Sequence, residues 1–271
     1  MLSLRRRQYL EAIGIDLWVS RAPATEPAAL PPPAGVTTDA APVTTQAARV
    51  TAEAASVTAE AASVTAEAAS VTADADTSWQ RLFDEVRACR LCPLHATRTQ
   101  GVLGVGPKRS DWLVIGEAPG AEEDRRGEPF VGAAGQLLDA MLRAIGLDRR
   151  TNVYIANVLK SRPPNNRDPK PEEVEACLPY LIRQIGLLQP KIMLAVGRIA
   201  AQNLLATDVP LGRLRGRVHH FGEFQTPLVV TYHPAYLLRT PADKRKAWED
   251  LKYARSVYQQ LTQGTADGHR S

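Results

Sequence analysis

Three polar side chains capable of acid–base chemistry and of hydrogen-bonded ligand recognition stand at or just after short apolar runs of the sequence: Glu117, Asn157 and His233. Pro234 removes a backbone donor and disfavours helix at the residue before it, so His233 lies where an extended segment must end. Each residue also has an ordinary structural interpretation, namely a solvated loop acid, a turn-capping amide and a solvated or core histidine. The three together are a stronger signal than any one of them alone.

The elements that must position these residues alternate between strands and helices. Apolar runs predict strands at residues 112–115, 153–158, 191–196 and 228–231. Helical spacing and end signals predict helices at residues 134–145, 171–188, 199–205 and 243–261. This alternation predicts an α/β fold, a three-layer α/β/α arrangement around a central four-stranded parallel sheet. Ligands of open parallel sheets bind beyond the carboxyl ends of the strands, where the three polar residues are expected to meet.

The N-terminal quarter of the chain has a different composition. Residues 21–76 are mostly Ala, Thr, Pro and Val, with the heptapeptide ASVTAEA at 55–61 and again at 62–68. One valine in each repeat is too little for a coiled coil, so we expect a long disordered linker. The expected domains are therefore a short amphipathic interaction peptide (1–20), this linker (21–76), a folded domain (77–262) and a tail (263–271).

The charges follow this division and indicate a polyanionic partner. Residues 1–76 carry 5 Lys and Arg against 9 Asp and Glu, whereas residues 77–271 carry 28 against 20. A basic domain suits nucleic acid, although it also suits a merely soluble surface. The sequence has no apolar run of membrane-spanning length, and Glu11 and Asp16 interrupt the N-terminal apolar residues, so we expect neither a membrane span nor a signal peptide. Three cysteines argue against a secreted disulfide scaffold, and we expect a cytoplasmic, monomeric protein.

Four motifs occur in the order and at the spacing of a known family: GEAPG at 116–120, EPFVGAAGQLL at 128–138, NVLKSRPPNN at 157–166 and HPAYLLR at 233–239. Together they resemble the family 4 uracil-DNA glycosylases, the iron–sulfur members of the uracil-DNA glycosylase superfamily. The resemblance extends from about Cys89 to the final helix. It implies a bacterial DNA-repair enzyme, associated with the nucleoid, that flips uracil out of single- or double-stranded DNA and hydrolyses its N-glycosidic bond.

The resemblance also implies roles in the base pocket. Asn157 matches the asparagine that recognises the base edge, Phe130 the aromatic on which the base stacks, and His233 the donor to the departing uracil. Gly116 lies in the first motif with Glu117, to which we assign water positioning or support of the positively charged sugar.

One position of the first motif differs from the best-known branch of the superfamily. That branch has a water-orienting aspartate two residues after the first glycine. This chain has Ala118 there, as is usual in family 4.

The remaining implied contacts are with the duplex. Leu237 matches the position of the apolar wedge that enters the space left by the flipped base. Arg239 is available to a phosphate, and a GRLRGR segment resembles a loop that contacts the backbone through Arg213, Arg215 and Arg217. Each arginine could equally be an ordinary surface charge.

Iron is implied by three cysteines that match ligands of the family's 4Fe–4S cluster: Cys89, Cys92 and Cys177. The fourth position, in a segment where the family has Lys-Cys-Arg-Pro-Pro, is Ser161. A hydroxyl is a harder and less acidic ligand than a thiol. Three outcomes are open: a labile cluster with an oxygen ligand at one iron, a three-iron cluster held by three thiolates, or no cluster, with the cysteines packed as small apolar residues. We favour a labile cluster.

The residues leave two alternative functions open. One belongs to another class of protein, and the other is a glycosylase with a different chemistry. The first is a non-catalytic DNA-binding or scaffold protein that keeps the fold. The second is a related glycosylase branch that forms a covalent adduct through a histidine. The segment PPNNRDPKP, where that histidine is expected, contains none.

The extreme N-terminus has a resemblance of its own. Arg5 and Arg6, followed by Leu10, Ile13 and Trp18, resemble the peptide with which the psi subunit of the bacterial clamp loader binds the chi subunit. The alternative is an unrelated amphipathic helix. The resemblance implies recruitment of the enzyme to the replication machinery, with the linker raising its local concentration.

Overall fold

The computed structural model describes residues 75–223 and 225–267, which fold around one five-stranded sheet in the order β2-β1-β3-β5-β4. Four strands are parallel: β1 (Trp112–Gly116), β2 (Val153–Asn157), β3 (Ile192–Val196) and β5 (Thr226–Thr231). The interaction peptide predicted at 1–20, residues 21–74 of the predicted linker and residues 268–271 of the predicted tail lie outside the described residues.

The four parallel strands confirm the predicted fold class, and the structure adds a fifth. Strand β4 (Val218–Phe221) pairs antiparallel with β5 at the edge of the sheet. Its sequence, VHHF, contains two histidines, and only Phe221 is buried. Because the strand is short and has two histidines at its centre, it lacks the apolar run by which the buried strands could be predicted.

Helices cover both faces of the sheet. The structure has α1 at residues 75–88, followed by α2 (Ala121–Arg126), α3 (Ala133–Ala144), α4 (Pro171–Leu188), α5 (Arg198–Leu204), α6 (Leu211–Leu214), α7 (Pro234–Arg239) and α8 (Lys244–Asp267). Three single turns of 3-10 helix lie at Pro93–Ala96, Pro164–Asn166 and Pro241–Asp243. Within the described residues, every helix is too short or too polar to cross a lipid bilayer.

Alternation along the strands divides the core into two apolar layers. Leu113 and Ile115 of β1 face the layer formed with α1, α4 and α5, whereas Trp112 and Val114 face the layer formed with α3, α7 and α8. Burying a side chain of this size contributes about 1.5–3 kcal/mol. The sheet is therefore a rigid support, and its strand ends are fixed relative to one another.

Arg215, for which a DNA contact was predicted, forms an ion pair inside the domain. Its guanidinium donates to both carboxylate oxygens of Asp250 on α8, at 2.6 and 2.9 Å, and lies over the ring of Tyr232 at 4.3 Å. Asp250 is only 2% exposed and also accepts a hydrogen bond from Thr231. The sequence shows a cluster of arginines but not the buried acid that binds one of them, and a DNA contact of Arg215 stays a prediction.

Replacing Arg215 should destabilise the fold. In Arg215→Ala, the buried Asp250 carboxylate loses its counter-charge, which typically costs about 3–5 kcal/mol of unfolding free energy. Urea unfolding of the variant measures this. Arg217→Ala, which removes an exposed arginine two residues away, should change the free energy by less than about 0.5 kcal/mol. Equal, small effects of both substitutions would show that the ion pair does not stabilise the domain.

Candidate active site

The sheet brings the predicted polar residues to one edge. Gly116 ends β1 directly opposite Asn157, which ends β2. Thr231 ends β5, and His233 follows two residues later as the N-cap of α7. Because β2, β1, β3 and β5 are neighbours with parallel directions, their carboxyl ends share one side of the sheet.

Gly116 leaves the space in which an amide and an aromatic ring meet. A Cβ atom at this position would lie 2.4 Å from Oδ1 of Asn157 and 2.5 Å from Cζ of Phe130. Both distances are far below van der Waals contact. A glycine at the end of β1 is therefore required for Asn157 and Phe130 to approach each other as they do.

Asn157 holds a buried acceptor that has no partner. The residue is 2% exposed, and among the described residues nothing donates to its Oδ1. Its own backbone oxygen accepts a hydrogen bond of 2.6 Å from Nζ of Lys160, which orders the turn after β2. A buried polar atom without a partner is unfavourable, so this oxygen is suited to a ligand that brings a donor.

His233 is arranged as a neutral donor. Its Nδ1 accepts the backbone N–H of Ala235 at 3.1 Å, which leaves the ring proton on Nε2. Burial, with a smaller effect from the Arg239 charge, lowers its pKa to about 4, while Glu123 opposes this shift. The imidazole lies 5.6 Å from the ring of Phe130, centroid to centroid.

The end of β3 makes room for this histidine. Gly197 has φ +100°, and a Cβ atom there would lie 2.9 Å from the Cβ of His233. The sequence motifs did not single out this residue. A glycine directly after a buried strand was the available signal, but the histidine that approaches it lies 36 positions later.

Glu117 lies half-buried in the turn after β1 and can exchange a proton near neutrality. Burial is the main cause that raises its pKa to about 7; the charge of Asp168 raises it further and that of Arg198 lowers it. Asp168 and Arg198 form an ion pair of 2.7 Å. No sequence motif indicated this pair, because 29 residues separate its members.

Glu123 is a further residue that the sequence analysis missed. Its Oε1 accepts the backbone N–H groups of Val131 and Gly132 at 2.9 and 3.2 Å, and its Oε2 accepts that of Gly120 at 3.1 Å. This carboxylate therefore ties the first motif to the loop that carries Phe130. The only sequence signal was an acid three residues after Gly120, a spacing typical of a capping box.

The side chains predicted to contact a duplex differ in their exposure to solvent. Leu237 is 1% exposed and packs in the core layer with α3 and α8, so it cannot act as a wedge without leaving the core. Its neighbour Leu238 is 45% exposed. The prediction missed this difference because it took the family position without the rotation of α7. Arg213, Arg217 and Arg239 are exposed.

The cysteines lie near the segment after β2, which contains Ser161. All three cysteines are free thiols, and Cys92 and Cys177 are buried. Burial is the main cause that raises the pKa of the Cys177 thiol; Lys160 opposes this shift, and the nearby Cys92 and Cys89 add to it. The backbone N–H of Lys160 donates to Sγ of Cys177 at 3.4 Å.

Arg98 binds Ser161, which stands at the position of the fourth predicted cluster ligand. Its Nη1 donates to Oγ of the buried Ser161 at 2.7 Å, and its Nη2 donates to backbone oxygens that include that of Cys89. Within residues 75–223 and 225–267, no three His, Cys, Asp or Glu side chains are set up to hold a metal ion. The three thiols lie in one region but are not arranged around a common point, and the fourth position offers a hydroxyl bound to a guanidinium.

The arrangement suits a planar ligand that carries a donor next to an acceptor. Such a ligand could stack on Phe130 and pair with the amide of Asn157. A neutral imidazole with Nε2–H is suited to stabilising negative charge on a group that departs. Glu117 is suited to accept a proton from water.

Comparisons with known proteins agree with this chemistry. The family model described as the uracil DNA glycosylase superfamily matches residues 103–252. The type-4 uracil-DNA glycosylase of Archaeoglobus fulgidus is 47% identical over 174 residues, 62% of this chain and 87% of that protein. The type-4 uracil-DNA glycosylase of Thermotoga maritima is 41% identical over 177 residues, 64% of this chain and 91% of that protein. The type-5 uracil-DNA glycosylase of Thermus thermophilus is 35% identical over 181 residues, 54% of this chain and 82% of that protein.

The state of His233 can be measured directly. In ¹⁵N NMR spectra, its ring should be neutral with the proton on Nε2 from pH 8 to about 5, and it should titrate near its pKa of about 4. Since the unfolded chain binds this proton near pH 6.5, the native state should lose stability as the pH falls from about 6.5 toward 4. A positively charged ring at pH 7, or a proton on Nδ1, would contradict the assignment.

Proposed function

This chain belongs to the uracil DNA glycosylase superfamily, and on that premise we propose that it is a DNA-repair enzyme that excises uracil. It flips the uracil nucleotide out of DNA and hydrolyses the N-glycosidic bond, which leaves an abasic site. The observation that carries the proposal is the unpartnered Oδ1 of Asn157, buried beside the Phe130 ring at Gly116. Uracil brings the groups that this arrangement lacks.

Recognition of the base is assigned to Asn157 and Phe130. The N3–H group of uracil donates to Oδ1, and the amide Nδ2 donates to O4, while the ring of Phe130 stacks on the base. Cytosine carries an amino group at C4 and an unprotonated N3. Its amino group would face the donor Nδ2, and its N3 would face the acceptor Oδ1. The first-motif backbone at Gly116 and Ala118 lines the same pocket.

Departure of the base is assigned to His233. When the bond between C1′ and N1 breaks, its electron pair leaves with uracil, and the negative charge is shared chiefly with O2. The Nε2–H of a neutral imidazole stabilises that oxygen without a prior proton transfer. The hydrogen bond from Ala235 to Nδ1 keeps the proton on the donor atom.

Hydrolysis is completed at the sugar by Glu117. Its ionised carboxylate supports the positive charge at C1′ and takes a proton from the attacking water, whose oxygen forms the new bond to C1′. A pKa of about 7 means that this form is populated at neutral pH and is lost as the pH falls below that value.

Contacts with the duplex are assigned to exposed side chains near the pocket. Leu238 takes the role of the wedge in place of the buried Leu237, and Arg239, which is exposed at the end of α7, is available to a phosphate. Arg213 and Arg217 are available to the DNA backbone, whereas Arg215 is bound to Asp250.

The base-pocket assignment predicts the effect of two substitutions. Asn157→Ala and His233→Ala should each lower single-turnover uracil release by about 10²- to 10³-fold, the usual loss for one preorganised donor. Asn157→Asp should also weaken selection of uracil, since a carboxylate cannot donate to O4. His233→Ser keeps an N-cap acceptor for α7 and should be as inactive as His233→Ala.

The matched control for these variants is His220→Ala, which removes an exposed histidine of β4 and should release uracil at the parental rate. Thermal unfolding of each variant shows whether the fold is kept. Parental rates for both alanine variants would refute the site assignment. A folded parent that releases no uracil from single- or double-stranded DNA would instead favour the non-catalytic scaffold.

We further propose that the chain carries a labile iron–sulfur cluster held by Cys89, Cys92 and Cys177, with Ser161 at the fourth position. Such a cluster would link the segment after α1, the turn after β2 and helix α4, and its chemistry there is structural. The Arg98 guanidinium supports binding of iron by Ser161, because a positive charge stabilises a deprotonated ligand. None of the catalytic steps above passes through iron.

Ser161→Cys should increase the iron content. A thiolate at this position would receive the Arg98 hydrogen bond and complete a four-thiolate site, so anaerobically purified variant protein should hold more iron, lose it more slowly in air and unfold at a higher temperature. Iron analysis and visible absorbance measure this. Ser110→Cys, a buried serine that binds the oxygen of Pro107 instead, is the control and should change nothing. Iron-free parent and Ser161→Cys proteins that both excise uracil would refute a cluster.

The last proposal concerns location and partners. We propose that the enzyme acts as a monomer at the bacterial nucleoid and that residues 1–20 bind the chi subunit of the clamp loader. The support is the pattern of arginines, aliphatic residues and Trp18 at the start of the chain. A pulldown in which chi binds residues 1–25 and a Trp18→Ala peptide equally well would remove this partner.

A further inference from the structure

Arg149 lies outside all four motifs, yet it holds the backbone of Phe130. We propose that Arg149, oriented by Asp139, is a positioning residue that keeps the Phe130 ring in the place where it stacks on the flipped base. The inference rests on the proposed uracil excision and extends it to residues that the motifs do not contain.

The conformation of Phe130 requires such support. Its φ is +54°, in the left-handed region that bulky residues rarely adopt. An unrestrained residue of this kind would populate extended or right-handed conformations about tenfold more than the left-handed one. The ring would then leave Gly116 and Asn157.

Arg149 supplies three hydrogen bonds in one fork. Its Nη1 donates to the backbone oxygen of Pro129 at 3.1 Å, and its Nη2 donates to that of Phe130 at 2.9 Å. Its Nε donates to Oδ1 of Asp139 on α3 at 2.7 Å, which fixes the plane of the guanidinium. The Arg149 and Asp139 side chains are 14% and 28% exposed, so solvent screens these bonds only in part.

Helix α3 holds the same carbonyl group from another direction. A Cβ atom at Gly135 would lie 1.8 Å from the backbone oxygen of Phe130, so the first turn of α3 and this oxygen are in direct contact. Glu123 fixes the next two backbone N–H groups, at Val131 and Gly132. The left-handed turn at Phe130 is therefore surrounded by contacts from α3, Glu123 and Arg149. Among these, Arg149 is the residue whose side chain donates to the Phe130 carbonyl oxygen.

Loss of Arg149 should act on binding of the base more than on bond cleavage. If the stacking conformation becomes a minor one, the apparent affinity falls by the fraction of molecules that retain it. Because stacking is present in both the bound substrate and the transition state, KM should rise about tenfold while kcat changes by less than about threefold. Inhibition by free uracil should weaken by the same factor as KM rises.

A double-mutant cycle separates this role from a general loss of stability. Arg149→Ala, Phe130→Ala and the double variant are compared in a uracil-release assay and in inhibition by free uracil. If Arg149 acts through the ring, Arg149→Ala should raise KM about tenfold when Phe130 is present. The same substitution should hardly change KM in the Phe130→Ala background. Asp139→Asn should give a smaller effect of the same kind.

Two further variants control for charge. Arg149→Lys keeps the charge but cannot donate to two carbonyl oxygens and a carboxylate together, so it should resemble Arg149→Ala. Arg150→Ala removes the exposed neighbouring arginine and should leave KM and kcat unchanged.

The outcomes are distinct. Additive effects in the cycle, full activity of Arg149→Ala, or rescue by lysine would each refute the positioning role in an enzyme that still excises uracil. Absence of uracil release by the parent would instead refute the proposed function. If Arg149→Ala does not fold, Asp139→Asn and Arg149→Lys are tested in the same cycle with Phe130→Ala.

Discussion

The close approach at Gly116 is the constraint on which the site depends. The absence of a side chain at the end of β1 lets the amide of Asn157 and the ring of Phe130 meet over one backbone position. The amide is brought there by the register of β1 and β2, which pairs Gly116 with Asn157. The ring is brought there by a loop in a left-handed turn, held by Glu123 and by Arg149. The strand pairing is rigid and the loop must be restrained, so the two halves of the pocket depend on different kinds of contact.

Burial gives the three polar residues their chemical states. It leaves Oδ1 of Asn157 without a partner in the described part of the chain, lowers the pKa of His233 to about 4 and raises that of Glu117 to about 7. Each of these states is unfavourable for folding, and each is useful in the proposed reaction. The amide can accept from a base, the imidazole can donate while neutral, and the carboxylate can exchange a proton near neutral pH. The apolar layers on both faces of the sheet supply the stability that permits these unfavourable groups.

The turn after β2 connects the pocket to the cysteine region. Lys160, buried with its pKa lowered to about 7 chiefly by desolvation, donates from Nζ to the backbone oxygen of Asn157. Its backbone N–H donates to Cys177, and the next residue, Ser161, binds Arg98. Five consecutive residues thus contain both the amide assigned to base recognition and the position proposed for the fourth cluster ligand.

The sequence by itself determined the parallel sheet and the positions of Glu117, Asn157 and His233 at its strand ends, because apolar runs, glycines and prolines act locally and their periodicity is preserved in the fold. It did not reveal strand β4, which has no apolar run and is defined by its pairing with β5. Only the tertiary structure decided that Leu237 is buried while Leu238 is exposed, and that Arg215 is paired with Asp250. It also decided that Glu123 and Arg149 restrain Phe130. In each of these cases the partner lies on another element, so the rotation of a helix or the approach of a distant carboxylate, and not the local pattern, sets the role of the residue.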